Sequence, residues 1–158
     1  MGIFKILGME KEEYDRLIKE NYISRIAFKG DSHPYVAPFL YVFDGRCLFF
    51  LSTKYGRKIR YFNENPNVAV EIERFSADMA CYMFVTLLGQ LVEVIDGAEG
   101  QTVRQQFAEM IKTRALSRNA VAALGHSPAE PLESIVNEDR SLVWKLQKVK
   151  EIVALKSG

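Results

Sequence analysis

Apolar residues recur along this chain with two periods, and the switches between them divide it into elements. Over Glu10 to Asn21, and just beyond, Tyr14, Leu17, Ile18 and Tyr22 fall at helical spacing with charges on the other face, which predicts a short amphipathic helix. Ile23–Lys29 and Tyr35–Phe43 read as strands separated by the turn Gly30-Asp31-Ser32-His33-Pro34. Within the second, Pro38 marks a bulge or an edge, because proline has no N–H to give to a ladder. Asp44-Gly45 is hairpin chemistry, and Cys47–Ser52 follows as a third strand. Gly56–Asn65 returns to the helical period with Ile59 and Phe62 turned inward, and Asn65-Pro66 stops it. Asn67–Arg74 and Tyr82–Ile95 supply two more strands, the second interrupted by Gly89, a position suited to a bend or a close backbone approach. Gly97–Leu116 is the longest predicted helix, with Val103, Phe107, Met110 and Ile111 on one stripe. Ser117–Arg140 is polar, contains proline and receives no assignment. Ser141–Leu155 closes the chain as one strand or a bent strand pair carrying Trp144, Leu146 and Val149. Strands in hairpin-like succession, without a helix between each pair, predict an antiparallel sheet rolled into a barrel.

At 158 residues and 48% hydrophobic content the chain has material for one core, so a single domain spanning residues 1–158 is expected. The formal net charge is +1, which gives no global field to attract nucleic acid or an anionic membrane; any anion site has to be local. No apolar stretch approaches the ~18–20 residues of a membrane span, and Lys5 with the acidic run after Met9 does not make a secretory signal. Cys47 and Cys81 have no Cys or His neighbours at metal-ligand spacing and read as reduced thilols of a cytoplasmic protein, Cys81 as a small buried hydrophobe.

One segment has one-sided charge beside hydroxyls. Lys54, Arg57, Lys58 and Arg60 follow directly on Phe49-Phe50-Leu51-Ser52-Thr53, with no acidic residue among them. If Ser52 and Thr53 leave a strand end and Gly56-Arg57-Lys58 open a helix, hydroxyls, cations and free helical N–H groups converge on one point, as they do around a phosphate. The alternative is a solvated basic face.

The motifs Ser24-Arg25-Ile26-Ala27-Phe28, Pro34-Tyr35-Val36-Ala37-Pro38, Phe49-Phe50-Leu51-Ser52, Gly56-Arg57-Lys58 and Asn65-Pro66-Asn67-Val68 stand in the order and approximate spacing of a known family. Over Ile23–Ile95 the chain resembles the FMN-binding split barrels related to pyridoxamine 5′-phosphate oxidase, in particular the short branch that includes 5-nitroimidazole-resistance reductases. The resemblance implies a mainly β fold, a six-stranded antiparallel Greek-key split barrel with flanking helices, whose homodimer binds FMN at its interface. It implies phosphate contacts from Ser52, Arg57 and Lys58, with Thr53 as an additional hydroxyl, and places the isoalloxazine ring along Ala37, Pro38, Phe39 and Leu40. Two positions depart from the pattern. Leu51 stands where the nitroimidazole branch usually carries His, and Phe84 stands near a flavin-contacting Gln of the longer oxidases.

The activity implied is that of an FMN-dependent oxidoreductase passing electrons from a reduced donor to a small oxidised acceptor. The alternatives are a non-catalytic carrier of a flavin or deazaflavin and a heme-binding protein. No Ser/His/Asp, Cys/His or paired-carboxylate arrangement is apparent, so no catalytic side chain and no metal ligand is assigned. His33 and His126 read as surface residues, and Trp144 as an anchor of the barrel or dimer core. Tyr41, Tyr55, Tyr61 and Tyr82 offer stacking surfaces.

Overall fold

The computed structural model describes residues 2–158. Its elements are β1 (Leu7–Gly8), α1 (Lys11–Glu20), β2 (Ile23–Phe28), β3 (Tyr35–Phe43), β4 (Leu48–Thr53), α2 (Arg57–Glu64), β5 (Asn67–Phe75), β6 (Tyr82–Glu93), α3 (Gly97–Thr113), a 3-10 helix (Arg118–Leu124), α4 (Glu133–Asn137) and β7 (Ser141–Lys156). The strands run in the order β7-β4-β3-β2-β5-β6, all antiparallel, and β6 pairs back onto β7, closing a six-stranded barrel; β1 adds a short strand to the far end of β7. This is the rolled antiparallel sheet that the strand pattern predicts, with the six strands that the family resemblance implies.

Residues of alternating parity fill the barrel: Ile26 and Phe28 of β2, Phe39 and Tyr41 of β3, Phe50 of β4, Val70 and Ile72 of β5, and Trp144 and Leu146 of β7. Trp144 is fully buried, 4.9 Å between ring centroids from Phe62 of α2, so α2 closes one end of the barrel through its apolar side. A second cluster lies outside. Val42, Phe49, Leu51 and Val143 are covered by Val103, Phe107 and Ile111 of α3, Val121 and Leu124 of the 3-10 helix, and Ile135 of α4. The stretch 117–140, unassigned from its polarity, therefore supplies apolar cover for the outer face of β4. That cover is why β4 reads as a continuous apolar run and is buried at every position.

Gly89 is the bend that its isolation in a strand predicts. Gln90 pairs with Gln147 but Leu88 pairs with Glu151, so Lys148–Lys150 bulge opposite this one residue. A Cβ at Gly89 would come within 2.8 Å of the Gln147 carbonyl oxygen. The bulge, with Lys148 at φ 51°, bends β7 so that one strand serves β4 with its first half and β6 along most of its length.

Candidate functional site

The barrel is split between β3 and β4. Their ladder covers only Tyr41–Phe43 against Phe50–Leu48; beyond it, β3 continues along β2 as far as Tyr35, while β4 continues along β7 to Thr53. The segments that diverge contain Ala37–Leu40 on one side and Ser52 and Thr53 on the other, the two groups that the sequence motifs single out. Tyr41 N–H donates to the Tyr22 carbonyl, so the odd positions of β3 exchange bonds with β2. Pro38, at an even position, turns its nitrogen to the open edge, where no ladder requires a donor. The side chains of Ala37 and Phe39 pack into the barrel, that of Leu40 packs on the outer cluster, and Pro38 is exposed.

Across the split, alternation separates the two hydroxyls. Ser52 points into the barrel, is 1% exposed and donates through Oγ to the Thr53 carbonyl at 2.9 Å. Thr53 points outward and accepts from Lys58 Nζ at 2.7 Å. The structure thus joins Thr53, rather than Ser52, to the lysine. Lys58 also donates to the Tyr55 carbonyl at 3.1 Å and lies 5.4 Å from the centroid of the exposed Tyr55 ring. Gly56, at φ 101°, makes the turn from β4 into α2.

Four cations crowd this segment in the sequence, and the fold sorts them. Arg60 forms a two-pronged pair with Asp31 at 2.7 and 3.0 Å, and Lys54 bonds the Asp139 carbonyl at 2.8 Å with its carboxylate at 3.6 Å. Arg57 and Lys58 form no ion pair among the described residues. Both stand in the first turn of α2, whose N-cap is a glycine without a side-chain hydrogen bond and whose first turn holds no acidic residue. Cations at the positive end of a helix are unfavourable, and partial burial holds the Lys58 amine below its ordinary range. The chemical complement of this arrangement is an anion: it would accept from the first-turn N–H groups and neutralise both side chains.

Other sequence expectations are corrected. His126 is buried, not a surface residue; its Nδ1 pairs with Glu130 Oε2 at 3.1 Å, one helical turn along in spacing. Arg140 bonds Glu130 at 2.7 Å and Glu138 at 2.5 Å, and holds the Glu130 carboxyl down at about 2, so these carboxylates are already compensated and pin the segment over β4. Cys81 is exposed at the tip of the β5–β6 hairpin, where its N–H donates to Ser76 Oγ at 3.0 Å and its carbonyl accepts from the Ser76 N–H at 2.8 Å; the buried alternation begins only after it. Tyr41 and Tyr61 are buried, Tyr41 donating to the Ile18 carbonyl, which leaves Tyr55 as the exposed ring beside the cationic cluster at Lys58. Leu51 belongs to the outer apolar cluster.

Two features escape sequence reasoning because their partners are distant in the chain. Arg104 of α3 is buried and bonds Ser141 Oγ at 2.7 Å, the Ser141 carbonyl at 2.6 Å and Asp139 at 3.1 Å. On the outer face of β2, β3 and β5, Arg25 lies between Glu71 and Glu73, and burial, with Glu73 second, pushes the Glu71 carboxyl up to about 7. Nothing local in the sequence distinguishes either residue from an ordinary helix or strand charge.

The family model for pyridoxamine 5′-phosphate oxidase matches residues 10–133. The chain belongs to this family. The match extends beyond the motif region of Ile23–Ile95 to include α1, α3 and the 3-10 helix. The family member's structure is similar to that of an FAD-binding protein of Mesorhizobium loti, at 16% identity, with 98% of this chain and 100% of that chain covered and a TM-score of 0.70. It is similar also to the FAD binding protein of Mycobacterium smegmatis, at 14% identity, 96% and 100% coverage and a TM-score of 0.61. The heme storage protein of Vibrio cholerae gives 15% identity, 92% and 94% coverage and a TM-score of 0.66. These likenesses establish the shared fold. Comparison of the sequence with curated proteins gives no match. No helix among the described residues is long and apolar enough to cross a membrane.

Proposed function

We propose that this protein binds a flavin without a covalent bond and passes electrons from a reduced donor to a small oxidised acceptor. The 5′-phosphate of the FMN unit is held by Arg57, Lys58 and the first turn of α2, with Thr53 positioning the lysine. The ring lies along the open edge of β3 at Ala37–Leu40. The observation that carries this reading is the sorting of the four cations, which leaves Arg57 and Lys58 without ion pairs at an uncapped, acid-free helix start beside the split. The FAD of the Mesorhizobium loti protein contains the same FMN unit, which supports a flavin as the ligand.

The flavin supplies the redox chemistry when bound. The chain fixes the phosphate, orients the ring against backbone groups of β3 and shields one side with the barrel wall. The protein acts as a homodimer in the cytoplasm. Val36, 57% exposed, and Ile23, 47% exposed, give the outer face of β2 and β3 an apolar surface for a second copy, and the free thiols of Cys47 and Cys81 suit a reducing compartment.

Native mass spectrometry of apoprotein mixed with FMN tests the reading. A dimer carrying two flavins is the expected result. A monomer that retains no flavin would overturn it. Uptake of heme in place of flavin, seen as a Soret band, would replace the flavin with the ligand named for the Vibrio cholerae protein.

A further inference from the structure

β3 begins beside α2, where Tyr35 packs on Tyr61 at 5.5 Å between ring centroids, and ends at the opposite mouth of the barrel. There a cavity of about 340 Å³ opens between α1, the β3–β4 hairpin and the middle of β7. Its size lies within the ~300–1,000 Å³ of small-molecule sites, and the mouth of a β-barrel is one of the places where such sites form. α1 lies across this mouth: Leu17 and Ile18 are buried against the barrel core, and the Tyr41 hydroxyl bonds the Ile18 carbonyl. The helix does not close it. The β7 bulge opposite Gly89 falls at the opening, and Val149 and Ile152 on its lip remain 39% and 40% exposed.

The lining defines what fits. Its floor is apolar, since Leu48, Leu87 and Leu146 are buried members of the barrel core, with Phe43 beside them. The charged residues of the lining are Lys11, Asp15 and Arg46. Lys11 and Asp15, one turn apart on α1, pair with each other. The Arg46 guanidinium forms neither an ion pair nor a hydrogen bond among the described residues. The nearby Asp44 carboxylate braces the hairpin instead, accepting from the Arg46 N–H at 2.8 Å and the Cys47 N–H at 2.7 Å. The mouth thus sets one uncompensated positive charge above an apolar floor.

We propose that this mouth binds a small amphiphilic monocarboxylate, its apolar tail on Leu48, Leu87 and Leu146 and its carboxylate at the rim on Arg46, whose planar fork of donors matches that group. A second negative charge would have to face Asp15 or enter the apolar floor, so dianions are disfavoured, and a cationic head meets Arg46. With α1 as one wall and barrel strands as the other, the bound tail holds the helix onto the barrel and stabilises the fold. The site is independent of the flavin reading, because Lys58 and the split lie toward the α2 end of β3 and β4.

Isothermal titration calorimetry of the full chain with octanoate tests this. Saturable binding of one octanoate per chain is expected, about tenfold tighter than hexanoate because two more methylenes are buried. Octan-1-ol, which lacks the charge, should bind about tenfold more weakly than octanoate. Arg46→Gln should bring octanoate to the octan-1-ol value and leave octan-1-ol unchanged, whereas Ile152→Trp, which sets an indole across the lip, should abolish binding of both. Neither substitution should change the affinity for FMN. Uptake without saturation, equal affinity of wild type for octanoate and octan-1-ol, or octanoate binding that survives both substitutions would overturn the assignment. Competition between octanoate and FMN would place the carboxylate in the flavin site and overturn it too. So would a wild-type dimer that dissociates on Ile152→Trp, because a second copy would then cover the mouth. Should Ile152→Trp lose cooperative unfolding, Val149→Trp, on the same lip, carries the same expectation and the same refutation.

Discussion

Replacing Lys58 with methionine removes the ammonium but keeps most of the half-buried stem. Of its three donors, two are engaged by Thr53 Oγ1 at 2.7 Å and the Tyr55 carbonyl at 3.1 Å, which leaves one for a phosphate oxygen. One hydrogen bond between charged groups contributes roughly 1.5–3 kcal/mol, so the dissociation constant for a flavin phosphate should rise by about one to two powers of ten. The internal bonds are to uncharged groups at the surface of the barrel, and their loss should lower stability by only about 1 kcal/mol. Fluorescence quenching with FMN and riboflavin in parallel makes the test specific. Riboflavin lacks the phosphate and should bind wild type and Lys58→Met with equal, weak affinity. Because burial holds the amine below its usual range, FMN affinity in wild type should also fall as rising pH deprotonates it, and this limb should vanish in the variant. Equal weakening of riboflavin and FMN would make Lys58 a structural residue. No weakening of either would return the segment Lys54–Arg60 to a solvated basic face.

Glu71 provides a pH-dependent expectation. Its carboxyl titrates near 7 in the fold against the usual 4.5, so the folded state holds the proton over that interval while the unfolded chain releases it. Stability from this group is fully present below 4.5 and is lost as pH rises through 7, by no more than about 2 kcal/mol once solvent around the side chain is allowed for. Urea titrations should show wild type losing stability relative to Glu71→Gln across this window; parallel profiles would refute the assignment. Gly89→Val should destabilise by about 1–3 kcal/mol, because its Cβ would press on the Gln147 carbonyl oxygen at 2.8 Å and the neighbouring backbone cannot yield. An unchanged denaturation midpoint would show that β7 relaxes there.

Periodicity determined the strands of the barrel, because each of them has one face or both in apolar surroundings and the pattern records which. Turn chemistry was equally legible: Asp44-Gly45, Asn65-Pro66 and Gly89 mark the places where the chain turns or bulges. The basic run was visible too, but its four charges are equivalent in one dimension. Only the tertiary structure brought Asp31 to Arg60 and Asp139 to Lys54, and so distinguished Arg57 and Lys58. Likewise, Ser52 and Thr53 are adjacent hydroxyls in the sequence, and the pleat of β4 sends one into the core and the other to the lysine. The stretch 117–140 remained illegible because its buried residues, Val121, Leu124 and Ile135, are spread over two short helices whose burial is set by β4 and α3, not by any local repeat. Charge pairing, burial of isolated polar groups and the cavity at the barrel mouth beside Arg46 all depend on residues far apart in the chain meeting in space, and a pattern read along one strand or helix holds no record of such meetings.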